Sequence, residues 1–158
     1  MKKLAFFIST LCYCGYFPKA PGTIGSLVSI PIIFFICYCF GFFGLLLTIS
    51  ISFVVALIAV KKVLMYTKHD PSFVVIDEFI GQSVTFVLIA DTLKNNTNII
   101  PYIIGFILFR IFDITKPFPV SYADKKMENA AGVVLDDVFA GFYGTIILYL
   151  IMILLNGF

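Results

Sequence analysis

The sequence predicts an all-α, polytopic membrane protein of about five spans, preceded by a short N-terminal interfacial or re-entrant helix. Three observations lead there. Of 158 residues, 61% are hydrophobic and only 13% are charged, against roughly 25% charged in ordinary soluble domains. Mean hydropathy is +1.06, and uncharged runs recur near the roughly 20 residues that cross a bilayer core. Lysines gather in alternate loops between those runs, the pattern that sets orientation in a membrane. The length fits a single membrane-embedded domain over residues 1–158, with no room for a separate soluble catalytic domain. A net charge of +2, with no basic run longer than two residues, gives nucleic acid no footing.

The elements follow in order. Lys2 and Lys3 before the apolar residues 4–13 imitate a secretory signal, but no small-x-small cleavage site follows. Cutting near Gly15 would also sever a loop with candidate functional residues, so this stretch is expected to stay attached as a short helix. Cys12/Cys14 and Cys37/Cys39 lie in apolar stretches, a spacing that suits neither a disulfide framework nor zinc; apolar packing is expected. The uncharged run 24–60 is too long for one span and is broken by Gly41 and Gly44, so it reads as two. Lys61, Lys62 and Lys68 mark a polar loop. A third span is expected from near Asp77 to near Ala90, then a polar turn over 91–98 and a fourth span ending near Asp113. Pro117 and Pro119 open a polar loop holding Lys125 and Lys126, and the last span covers about 133–155. All lysines except Lys94 fall on one side of this arrangement, which places the amino terminus and both lysine-bearing loops in the cytoplasm.

An acid at membrane depth costs roughly 2.5–3.5 kcal/mol on insertion scales and marks a functional position by default. Asp77 and Glu78 are expected in the first turn of the third span, Asp136 and Asp137 in that of the fifth, and Asp113 in the last turn of the fourth. On this topology all five meet at the cytoplasmic face. The two pairs belong to a near-repeat: V-V-I-D-E-F-I-G at 74–81 is matched 59 positions later by V-V-L-D-D-V-F-A at 133–140. One span separates the copies, so their helices run parallel, with Gly81, Ala140 and Gly141 permitting close approach. Helix amino termini also favour carboxylates in their charged form. Carboxylates so crowded do not all ionise without a cation. Oxygen donors without histidine suit Mg2+ or manganese rather than zinc, and Asp77, Glu78, Asp136 and Asp137 are the expected ligands. The bland alternative, solvated helix-start residues at a membrane edge, fits one pair better than two matched ones.

Basic groups complement the acids. Arg110, Asp113 and Lys116 recur at i, i+3 and i+6, roughly one helix face. A guanidinium fork grips phosphate bidentately and a lysine adds a point charge; a snorkelling arginine with a local ion pair fits the same spacing. The loop G-Y-F-P-K-A-P-G-T-I-G-S at 15–26 runs into the first span. With Thr23 as N-cap, the freed amides there, flanked by Lys19 and Ser26, are candidates for holding a phosphate oxyanion. A structural turn accounts for the loop equally well. It does not match G-x-x-x-x-G-K-[ST], so nucleotide binding is unsupported.

Four stretches together resemble the phosphatidylglycerophosphatase A family: P-G-T-I-G-S at 21–26, V-I-D-E-F-I-G at 75–81, F-R-I-F-D-I-T-K-P at 109–117 and L-D-D-V-F-A-G at 135–141. They occur in family order and spacing, and the likeness runs from about Gly15 onward. D-P-S at 70–72 is similar to the family's loop before its D-E motif. The resemblance implies a magnesium-dependent enzyme of the bacterial inner membrane. Such an enzyme hydrolyses phosphatidylglycerophosphate to phosphatidylglycerol and inorganic phosphate.

Other phosphatase chemistries lack their residues. A C-x5-R nucleophile would need cysteine where Ile104 stands, a histidine phosphoenzyme normally needs a partner for the lone His69, and no D-x-D setting occurs. Attack by a water that magnesium activates remains, with charge on the phosphate neutralised and an uncoordinated carboxylate taking the proton; an aspartyl intermediate is the other route left open. The rival from another class is a small ion- or proton-coupled transporter with an acidic cytoplasmic site. A conduit, however, needs polar groups along its length, and spans one, two and five are uncharged through their middles.

Overall fold

The computed structural model describes residues 2–67 and 71–156. Lys68, His69 and Asp70, which entered the loop and family readings above, lie outside the described residues. Among the described residues there are six α-helices and no strand: α1 (Lys2–Ser9), α2 (Pro21–Leu64), α3 (Ile76–Thr85), α4 (Ile100–Thr115), α5 (Val120–Lys126) and α6 (Ala130–Asn156). The all-α expectation holds.

The apolar run expected to form two helices does so within α2. Gly41 adopts φ 62°, ψ −146°, a conformation that the absence of a Cβ makes accessible. The chain reverses there. A side chain on Gly44 would run into Phe40 across the turn. An unbroken helix of this length would extend about 66 Å, and its two ends could not both reach α1 and the start of α3. Instead Gly25 packs on Val75, the Ser9 carbonyl accepts from the Val75 amide at 2.8 Å, and α1 lies against Val55, Ile58 and Ala59. At the opposite end the Phe42 amide, freed by the break, donates to Asp91 Oδ1 at 2.8 Å.

The expected third span is a shorter object. Helix α3 has 10 residues, about 15 Å, and gives way after Thr85 to a 3-10 turn, Val87–Ile89, rather than continuing to Ala90. The Ser83 and Thr85 hydroxyls donate back to the Phe79 and Gly81 carbonyls at 2.7 and 3.1 Å, a pattern that competes with regular helix. The Leu88 amide finds Thr145 Oγ1 at 3.3 Å. Every residue of α3 except Glu78 is buried, so it is enclosed by the other helices.

Helix α6 runs parallel to α3, as the near-repeat predicts. A Cβ on Gly81 would meet the Asp137 carbonyl and the Phe109 ring, one on Gly141 the Gly81 carbonyl, and one on Gly144 the Thr85 side chain. Small residues at this crossing bring backbone against backbone. Helix α4 runs antiparallel to both, with Phe112 stacked on Tyr143 at 5.1 Å and Gly105 against Phe86 and Leu148. Residues 120–126, read from sequence as loop, form α5. Among the described residues two helices, Pro21–Leu64 and Ala130–Leu155, are long and apolar enough to cross a membrane. Large apolar side chains such as Phe35, Phe43, Ile58 and Leu154 are exposed on their outer faces. All four cysteines are free, and of them only Cys37 is buried.

Candidate active site

The five acids singled out from sequence converge at one end of the bundle, around a cavity of about 230 Å³. Helix α3 brings Asp77 and Glu78, α6 brings Asp136 and Asp137, and α4 brings Asp113. Both pairs use the same local geometry: the amide of the second acid donates to the carboxylate of the first, Glu78 to Asp77 and Asp137 to Asp136, each at 3.0 Å. The helix starts differ. Asp77 and Glu78 occupy the first turn of α3. Helix α6 begins at Ala130 and has no acid in its first turn, because Asn129 Oδ1 accepts from the Ala131 and Gly132 amides at 2.9 and 3.0 Å and sets the start. Asp136 and Asp137 therefore sit in the second turn, beyond most of the helix-dipole effect.

Oxygen atoms of Asp77, Glu78 and Asp137 lie within 4.8 Å of one another. Asp77 and Asp137 are 6% and 5% exposed, and Glu78 Oε2 is buried without a hydrogen-bond partner. Asp136 is turned aside to Lys116, at 3.1 Å. Of the four expected metal ligands, three gather and the fourth pairs with a lysine. Three oxygen donors with an unpartnered buried oxygen among them suit a hard divalent cation.

The basic groups divide. Arg110 Nη1 pairs with Asp113 Oδ2 at 2.6 Å and donates to Ser26 Oγ at 3.4 Å, while the Ser26 hydroxyl donates to the Gly22 carbonyl at 2.9 Å. Ser26 is fully buried and holds the guanidinium rather than facing the cavity. Gly22 is where α2 meets this assembly; a Cβ there would strike the Glu78 carboxylate and crowd Arg110. Lys116 ends α4 in the left-handed conformation, φ 45°, and its ammonium contacts both Asp124 of α5 and Asp136. Burial alone would lower its pKa, but these two carboxylates outweigh it and hold the lysine above its ordinary value, hence charged.

Two expectations from the loop 15–26 change. Thr23 is not the N-cap: α2 starts at Pro21, after Ala20 at φ 50°, ψ 58°, and Ala20 has no side chain to cap with. Thr23 lies inside the first turn, where the Gly22 and Thr23 amides have no helical acceptor; Gly22 lines the cavity. Lys19 is exposed and is not among the residues lining the cavity. Sequence reasoning missed Asp124, Gly22 and Ser72. Gly22 and Ser72 had a signal, since both lie in stretches, 21–26 and 70–72, that carry the family resemblance; Asp124 had none.

Residues 7–152 match the family described as Phosphatidylglycerophosphatase A. A protein of that name from Haemophilus influenzae is 33% identical over 138 residues, covering 87% of this chain and 82% of its own. Its counterpart from Escherichia coli is 32% identical over 139 residues, covering 87% and 77%. A putative phosphatidylinositol-3-phosphatase from Bacteroides thetaiotaomicron is 36% identical over 159 residues, covering 94% and 95%. No solved structure matches the chain. The matched stretch takes in every carboxylate of the cavity, and on that extent of similarity the chain belongs to the phosphatidylglycerophosphatase A family.

Proposed function

We propose that this phosphatase is a magnesium-dependent enzyme that hydrolyses phosphatidylglycerophosphate to phosphatidylglycerol and inorganic phosphate at the cytoplasmic face of a bacterial inner membrane. The observation that carries the reading is the convergence of Asp77, Glu78 and Asp137 beside Lys116, at one end of an apolar helical bundle. Those three carboxylates would hold the magnesium. When bound, it supplies Lewis-acid polarisation of the phosphomonoester and lowers the pKa of a water. The protein's own groups do the rest. Lys116 stays charged and offsets negative charge on the phosphoryl oxygens. The amides of Gly22 and Thr23 are free donors at a helix start, the arrangement that favours an anion. Arg110 and Ser26 fix Asp113 at the rim. Asp113, which lines the cavity outside the cation set, accepts the proton of the attacking water, while Asp136 holds Lys116.

The same reading makes residues 1–158 one membrane-embedded domain crossing the bilayer about five times: the two halves of α2, then α3 with its following turn, α4 and α6. Lys61, Lys62, Lys116, Lys125 and Lys126 fall at the end that carries the acids and Lys94 at the other, which favours a cytoplasmic site. The transporter alternative is not favoured, because the acids gather at one end and the middles of the long helices carry none.

The Bacteroides relative's name supports a second substrate, a phosphoinositide 3-phosphate. The test is phosphate release by purified protein from phosphatidylglycerophosphate, phosphatidylinositol 3-phosphate and phosphatidic acid, each with magnesium and with EDTA. Release from phosphatidylglycerophosphate with magnesium alone is expected. Full turnover in EDTA removes the metal from the account. Release confined to the phosphoinositide moves the substrate, and release from none of the three overturns the reading.

A further inference from the structure

Below the acid-lined cavity, on the outer side of α6, Pro119, Phe139, Phe142, Tyr143 and Ile146 enclose an apolar groove of about 320 Å³. Its register ties it to the site. Asp136, Phe139, Tyr143 and Ile146 recur at i, i+3, i+7 and i+10, one stripe of a helix. Pro119 follows Lys116 by three residues, as Phe139 follows Asp136. The groove thus starts beside the Lys116–Asp136 contact, with Pro119 on one side, and its α6 wall reaches Ile146, about 15 Å along the helix from Asp136, towards the end of the bundle away from the acids. The one hydroxyl on the way is turned out of the groove, since Tyr143 donates to the Phe118 carbonyl at 2.6 Å. Phe142 and Ile146 are half-exposed, at 52% and 51%, so the groove opens to whatever surrounds the helices. A cation at the head and an apolar channel below match a phosphorylated glycerolipid, headgroup and tail in that order.

We infer that this groove holds one acyl chain of the phosphorylated lipid whose headgroup enters the cavity, an assignment that rests on the phosphatase reading above. Chain burial there orients the headgroup so that its terminal phosphate meets Lys116 and the acids, and it selects lipid over water-soluble phosphomonoesters.

Ile146→Trp tests this, because a larger side chain at a half-exposed position fills the groove without entering the core. The expected result is a KM for dioleoyl phosphatidylglycerophosphate raised about tenfold, with kcat/KM unchanged for the acyl-free headgroup, glycerophosphoglycerophosphate. Ile58→Trp, in the separate apolar groove between α1 and α2, should change neither. An unchanged lipid KM in Ile146→Trp, an equal loss on both substrates, or the same loss in Ile58→Trp overturns the assignment. If the unaltered protein hydrolyses neither substrate, the phosphatase reading fails, and photolabelling decides the groove alone. A phosphatidylglycerophosphate with a diazirine in its acyl chain should label residues 139–146 more strongly than its phosphate-free counterpart. Equal labelling by both, or crosslinks from this stretch to a second copy of the chain, overturns it.

Discussion

Asp77 and Glu78 on α3, and Asp136 and Asp137 on α6, lie in nearly the same eight residues and share one hydrogen-bond pattern between neighbours. Their surroundings differ. Helix α3 is short and enclosed, and both of its acids point into the cluster. Helix α6 starts a turn earlier relative to its acids, and Lys116 stands beside Asp136 but not beside Asp77. One pair gives two members to the crowded trio. The other gives one and leaves its second to fix a lysine. A repeated motif sets where a carboxylate sits along a helix; the neighbouring helix end decides what it does.

The comparison predicts unequal losses. Asp77→Asn and Asp137→Asn each remove an oxygen anion from the trio, and each should lower the rate of phosphate release by at least about two orders of magnitude. Both variants should insert normally. Their melting temperatures without magnesium should equal or exceed that of the unaltered protein, because each relieves repulsion among buried acids. Near-normal turnover in either would remove the trio from catalysis, and a large drop in metal-free stability would make these acids structural.

Asp136→Asn should cost less, about tenfold, and mainly in KM, since Lys116 keeps its contact with Asp124. Steady-state kinetics that separate kcat from KM check this. A loss as deep as that of Asp77→Asn would place Asp136 in the trio after all and make the two pairs equivalent.

Much of this was legible in the sequence because its causes are local or costly. Acids in an apolar chain need a reason, so Asp77, Glu78, Asp113, Asp136 and Asp137 stood out and do converge. Gly41 within a long uncharged run predicts the reversal of α2, and Gly81 with Gly141 predicts the close parallel crossing. What escaped depended on geometry between elements. Seven residues of α5 are too few to show a helical period, so Asp124 looked like one more polar loop residue. The Asn129 cap moves the start of α6 ahead of its acids, which hydropathy does not register. Thr23 was the obvious cap by residue type, yet Ala20 and Pro21 form the helix start by conformation. The early end of α3 reflects hydroxyls bonding to its own carbonyls and a tertiary contact from Thr145, neither visible as a break in apolar character.

The smallest expected effect probes how Lys116 is shared. Its ammonium touches Asp124 and Asp136, with side-chain exposures of 28%, 22% and 12% for the three groups. Either carboxylate alone keeps the lysine charged and directed at the cavity. Asp124→Asn should therefore lower kcat/KM only about threefold, in keeping with the modest worth of a partly exposed ion pair. The informative variant is the double one. With Asp124 and Asp136 both replaced by Asn, a half-buried ammonium loses both counter-charges, so the combined loss should exceed the product of the two single losses. A strictly multiplicative result would mean that the two acids act through different partners. In that case Asp136 would not be distinguished from Asp77 by Lys116, and the contrast between the two repeats would have to come from the depth of each pair within its helix.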